Sequence, residues 1–229
     1  MMSDKLEPIE LKDEFAKMSK EDISDFRFLS RFIFNKVGLF LSKQRLRIKN
    51  YDQLTCFGGL QCIQYPDELA KLLIFLYQHK ISSFCEMGVA FGGTFFVIDS
   101  FLRAVNPEMK YSLAINSYSD RSFKKKLEVY QKEHPEVTFL EMDAREFIPD
   151  KKYDFCFIDY EHTAENCRIS YNAMKKYSNF IGFHDIKYRR YPDVVKFWDE
   201  EVAGDKVELL NEDPIFPEPI GIGIVTNFA

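Results

Sequence analysis

The chain reads as an α/β protein built on a doubly wound, mostly parallel sheet of seven strands that ends in an antiparallel hairpin. Three observations predict this. From about residue 66 onward, short apolar runs alternate with amphipathic stretches of helical spacing. The runs are almost continuously apolar, as strands covered on both faces must be. The last two have only the proline-rich NEDPIFPEP between them, so they pair as a hairpin rather than through a crossover helix. Ligands of such a sheet sit at the carboxyl ends of the strands, near the switch in strand order.

Pro66 followed by Asp67 and Glu68 opens the first helix of this region, since proline fits the first turn and acids favour the positive end of the helix dipole; its apolar face is Leu69, Leu72, Leu73 and Leu76. SSFCEM (82–87) is the first strand, followed by a helix that starts after Gly93 and stops at Asn106-Pro107. YSLAIN (111–116) is the second strand, and the charged helix over 120–133 ends at His134-Pro135. VTFLEM (137–142) and YDFCFID (153–159) are the third and fourth strands, a helix spans 163–176, and FIGFH (180–184) is the fifth strand. A helix around Trp198 and the strands KVELL (206–210) and IGIGIVT (220–226) complete the chain.

Composition narrows the function. The 229 residues are 46% hydrophobic and 29% charged, the balance of a folded globular protein that needs no disulfide or metal staple. A net charge of -5 argues against general affinity for nucleic acid, so a small-molecule partner is expected. The five cysteines, Cys56, Cys62, Cys85, Cys156 and Cys167, lack CxxC spacing and read as thiols in a reducing compartment. The acidic N-terminus does not resemble a signal peptide, and no uncharged apolar stretch reaches membrane-spanning length. A cytoplasmic protein is expected.

Ahead of the alternating region, FRFLSRFIFNKVGLFLSKQRLRIKN carries Arg27, Arg31, Lys36, Lys43, Arg45, Arg47 and Lys49 without an acid. Phe26, Phe28, Phe32, Phe34 and Phe40 are interleaved with them. Residues 1–55 are therefore expected to form a helical extension, and residues 56–229 the ligand-binding domain. The aromatic face of the extension must be buried against the cleft as an acceptor lid, against a second subunit in a homo-oligomer, or against a membrane surface.

The chemistry-bearing motif follows the first strand: Glu86-Met-Gly88-Val-Ala-Phe-Gly92-Gly93-Thr94 opens directly into a helix. Glycines there permit positive φ and close approach of a ligand to the backbone, while the helix start offers free N–H groups. A tight turn without a ligand has the same residues. Together with FLEMDA and the FIDYEH and GFHD segments, the motif resembles the class I S-adenosylmethionine-dependent methyltransferases over about residues 55–226. The resemblance implies a Rossmann-like fold in which Glu86, Gly88, Gly92 and Gly93 contact the methionine part of the cofactor. It also implies that Asp143, followed by Ala144, holds the adenine amino group; otherwise Asp143 is a helix cap. The second strand ends in Asn116 where the family carries an acid for the ribose hydroxyls, so ribose recognition is either weaker or shared with Ser117, Tyr118 or Asp120.

Asp159, His162, His184 and Asp185 end the fourth and fifth strands and converge on the predicted cleft. This pattern is similar to the methyltransferase domain 24 subgroup with its cephalosporin-hydroxylase-like and macrolide-sugar O-methyltransferase relatives. The similarity implies a divalent cation such as Mg²⁺ on Asp159, His184 and Asp185, with His162 as the base that deprotonates a hydroxyl; His184 replaces a glutamate of those enzymes. Asp159 then serves both catalysis and the cofactor edge. The bland alternatives are helix caps for the two aspartates and a hydrogen-bonded core histidine for His184. Tyr160 either faces the cofactor or covers the sheet edge. Gln64 and Tyr65 stand in a segment expected to close over the cofactor, and Lys187, Arg189 and Arg190 in a loop suited to an anionic acceptor.

The expected activity is methyl transfer to a hydroxyl of a sugar or glycoconjugate precursor. Transfer to an amine or carboxylate without metal is the alternative, as is a degenerate nucleotide-fold module that docks a partner or membrane through its basic helix.

Overall fold

The strands form where the apolar runs predict them: β1 Ser83–Met87, β2 Tyr111–Asn116, β3 Val137–Glu141, β4 Tyr153–Ile158, β5 Ser178–His184, β6 Asp205–Leu209 and β7 Ile222–Thr226. The structure is a computed structural model that describes residues 5–39, 58–118, 120–213, 216 and 218–228. All seven strands lie in one sheet of order β3-β2-β1-β4-β5-β7-β6. Strands β1 to β5 pair in parallel, while β7 runs antiparallel between β5 and β6. The order reverses between β1 and β4, which places the switch point over Gly88 and Asp159.

Period-two side-chain alternation sends neighbouring residues of each strand to opposite faces. Phe84, Ala114, Phe155 and Phe157 join one apolar cluster with the helices α4 Pro66–Gln78, α5 Gly93–Val105 and α6 Arg121–Glu133. Cys85, Met87, Ile115, Cys156, Ile158 and Phe183 join the other with α7 Ala164–Met174 and α8 Pro192–Glu200. Cys62, Cys85, Cys156 and Cys167 are buried free thiols.

The N-terminal helices are α1 Pro8–Ala16, α2 Lys20–Ser24 and α3 Phe26–Phe32, the last continuing as a π-helical turn over Ile33–Val37. Their apolar residues Leu11, Phe15, Leu29, Ile33 and Val37 belong to the same cluster as α4 and α5, and Phe15 meets Phe101 of α5 edge-on at 5.2 Å. Arg27, Arg31 and Lys36 stay exposed. The described part of the basic aromatic stretch thus buries Leu29, Ile33 and Val37 on the protein's own core, with Phe26, Phe32 and Phe34 half-buried and Phe28 exposed. Phe40, Lys43, Arg45, Arg47, Lys49, Cys56 and the expected boundary between residues 55 and 56 lie outside the described residues.

Asp67 and Glu68 do more than complement a helix dipole, because both are buried at the start of α4. Asp67 accepts a hydrogen bond from the Ser30 hydroxyl and one from the Glu212 N–H. Glu68 accepts from the Gly221 N–H at 2.9 Å and the Asn211 N–H at 3.1 Å. The start of α4 therefore fastens both ends of the β6–β7 connection, whose Phe216 stacks on Tyr65.

Candidate active site

Two cavities of about 350 Å³ and 250 Å³ lie over the carboxyl ends of the central strands. Both are bordered by Gly88, Ala90, Asp159 and His162, so they form two halves of one cleft at the switch point. Glu86, Gly93, His184, Asp185 and Arg190 line the first half, and Asn116, Asp143, Ala144 and Tyr160 the second.

Crowding explains the glycines of the first loop. Gly88 has φ +97°, and a Cβ there would stand 2.2 Å from the Asp159 carbonyl oxygen. A Cβ on Gly93 would lie 2.6 Å from the backbone of Cys62, so the segment leading into α4 packs directly on the turn. Gly92 is the left-handed cap of α5. Glu86 at the end of β1 is 1% exposed, and its Oε2 has no hydrogen-bond partner although it borders the cavity. Burial, reinforced by the charge of Asp159, pushes its carboxyl well above the usual range.

Asp159 accepts from Gln64 Nε2 at 2.9 Å on one oxygen and from His184 Nδ1 at 3.0 Å on the other. Burial would raise its pKa, but the charge and hydrogen bond of His184 prevail and hold it below the ordinary value. His184 is opposite: burial would lower it, yet Asp159 and Asp185 bring it up to about 9. Its Nδ1 is also 3.4 Å from Asp185 Oδ2. Asp185 adopts φ +64°, uncommon for a residue with a Cβ, and its Oδ2 lies 2.9 Å from His162 Nδ1. The His162 ring stacks on Tyr191 with centroids 4.1 Å apart and planes 14° from parallel. For His162 too, burial lowers the pKa, but the Asp185 hydrogen bond and the Asp159 charge raise it overall.

Because an ionised carboxylate only accepts, the proton of His162 sits on Nδ1 and the lone pair of the neutral ring on Nε2, the form a general base needs. His184 uses the same nitrogen to bind two carboxylates, leaving Nε2 buried without a partner.

Asp159, His162 and Asp185 each bring one donor atom within 4.8 Å of the others, a spacing that can hold a metal ion. His162 takes the third place in that group, where His184 was expected from sequence. His184 gives its Nδ1 to both carboxylates and keeps Nε2 buried, whereas His162 borders both halves of the cleft.

In the second half of the cleft, Asn116 donates through Nδ2 to the Tyr118 carbonyl, which leaves Oδ1 as an acceptor. Asp143 borders the cavity and also caps the short turn Ala144–Glu146. Arg145 binds both its oxygens, and that hydrogen bonding holds the carboxyl below its usual range. Tyr160 borders the cavity while its hydroxyl meets Ser170 at 2.6 Å. Of the two residues expected to cover the cofactor, Gln64 reaches Asp159, whereas Tyr65 packs on Phe216. Of the three basic residues, Lys187 pairs with Glu208 and Asp199, Arg189 is exposed, and only Arg190 borders the cleft. Thr94, the last residue of the glycine motif, also lines it, as do Tyr191 and Gln61, which carried no pattern by which sequence alone would select them.

No family model and no curated protein matches the chain. Among solved structures, a candidate O-methyltransferase from Klebsiella pneumoniae superposes with TM-score 0.54 at 13% identity, covering 73% of this chain and 82% of that one. The O-methyltransferase TomG from Streptomyces achromogenes, solved with S-adenosylmethionine, gives 0.50 at 13%, covering 76% and 84%. An S-adenosylmethionine-dependent O-methyltransferase from Thermotoga maritima gives 0.51 at 16%, covering 73% and 67%. The chain has the class I methyltransferase fold. In a methyltransferase sheet of this order, the glycine turn after β1 and the ends of β2, β4 and β5 all face one cleft, which is where Gly88, Asn116, Asp159 and His184 stand.

Proposed function

We propose that the protein transfers the methyl group of S-adenosylmethionine to a hydroxyl of a small acceptor, a sugar or glycoconjugate precursor. The observation that carries this is the His162–Asp185 pair beside the glycine turn in one cleft. The cleft suits the cofactor: the partnerless Oε2 of Glu86 is an acceptor for the methionine ammonium, and Asn116 Oδ1 for a ribose hydroxyl. The sugar class rests on the likeness of Asp159, His162 and Asp185 to the sugar-modifying enzymes.

When bound, S-adenosylmethionine supplies an electrophilic methyl on sulfur. An alcohol is a poor nucleophile at neutral pH, so the chain's contribution is to take the hydroxyl proton. His162 accepts it at Nε2, Asp185 holds the opposite N–H and stabilises the imidazolium, and Tyr191 fixes the ring plane. Asp159, bound by Gln64 and His184, contributes a fixed negative charge beside the base.

The spacing of Asp159, His162 and Asp185 favours a second possibility. A divalent cation held there would polarise the acceptor oxygen, and His162 would then be a ligand and not the base. Turnover measured after chelation, and again with Mg²⁺ or Mn²⁺ restored, separates the two. Metal-independent turnover that falls about 10²–10⁴-fold in His162→Asn supports the base. Turnover that stops on chelation and returns with the ion supports the cation.

A further inference from the structure

Resting on the methyl-transfer reading, we infer that the acceptor carries an oxyanion, a carboxylate or a phosphate, and that Arg190 is the residue that selects it. Asp159 and Asp185 border the first cavity, and each takes the Nδ1 of a histidine, His184 and His162 respectively. An anionic group entering beside these two carboxylates therefore needs a cation that they do not already hold. Arg190 is the one Lys or Arg among the residues lining this cavity.

Its charge is available. Lys187, three residues earlier on the same loop, is neutralised by Glu208 at 2.8 Å and Asp199 at 3.2 Å. Among the described residues no carboxylate pairs with Arg190, whose guanidinium lies 5.9 Å from the ring centre of the buried Tyr188. The next residue, Tyr191, stacks on His162, so the cation and the base stand on one wall of the cleft. An acceptor bridging them has its anion on the guanidinium, which binds carboxylate or phosphate through two parallel N–H donors, and its reacting hydroxyl at His162. A neutral polyol lacks the first contact, and the protein's net charge of -5 does not help recruit an anion.

Calorimetric titrations of the S-adenosylhomocysteine-saturated protein test this, with inorganic phosphate and glycolate as the anionic probes and ethylene glycol as the neutral one. At least one anion should bind, with affinity reduced tenfold or more in Arg190→Ala and partly retained in Arg190→Lys. Ethylene glycol should give no response in any of the three proteins. Preference for phosphate marks a phosphorylated acceptor, and preference for glycolate a carboxylated one. Absence of binding by both anions, or equal binding by the wild type and Arg190→Ala, overturns the inference. Failure of S-adenosylhomocysteine itself to bind the wild type would instead remove the methyltransferase reading, so the two failures are distinguishable.

Discussion

His162 and His184 both turn Nδ1 to the aspartates, and their surroundings give them different work. His184 is 4% exposed, with its Nδ1 held between two carboxylates; His162 borders the open cavity with Nδ1 on Asp185. That distinction was not legible in the sequence, where the resemblance to the sugar enzymes implied His184 as a cation ligand. Asn116 stands where the resemblance implies an acid, and one acceptor oxygen remains after its amide donates to Tyr118. Asn116→Ala should weaken S-adenosylhomocysteine binding about tenfold by calorimetry, the loss of one hydrogen bond from a site left otherwise intact. An unchanged dissociation constant would remove Asn116 from the ribose site.

Helix α4 shows how an element can carry more than its periodicity implies. Its apolar face was legible from Leu69, Leu72, Leu73 and Leu76, but the use of Asp67 and Glu68 as clamps on the β6–β7 connection depends on residues about 145 positions away. Burial pushes the Glu68 carboxyl up to about 7, from about 4.5 when unfolded. Between those values the folded chain binds more protons than the unfolded one, so this group's contribution to stability falls as pH rises from 4.5 to 7 and is level above. Glu68→Gln keeps a carbonyl oxygen for the Gly221 and Asn211 N–H groups and removes the ionisation. Urea denaturation at pH 8 should find the variant more stable than the wild type by about 1–3 kcal/mol, with the difference nearly gone at about pH 4.5. A variant less stable at pH 8 would show that the ionised carboxylate is needed by the clamp.

At the scale of the molecule, the seven strands and the final hairpin were readable from seven apolar runs with helical spacers, whereas the order β3-β2-β1-β4-β5-β7-β6, with β7 between β5 and β6, came from the structure. The glycine turn was readable because close backbone approach leaves few residue choices at Gly88 and Gly93. The course of the N-terminal stretch was not, since an aromatic basic helix looks the same whether it covers its own core, a partner or a membrane. The structure packs Leu29, Ile33 and Val37 of its described part on the core, and among the described residues no helix is long and apolar enough to cross a membrane. The whole arrangement is organised around one cleft, and the central claim is that this cleft binds S-adenosylmethionine. Calorimetric titration with S-adenosylhomocysteine is the most direct measurement. One molecule should bind per chain with a dissociation constant on the order of micromolar, raising the melting midpoint by linkage. Absence of binding heat and an unmoved midpoint at millimolar ligand would contradict it.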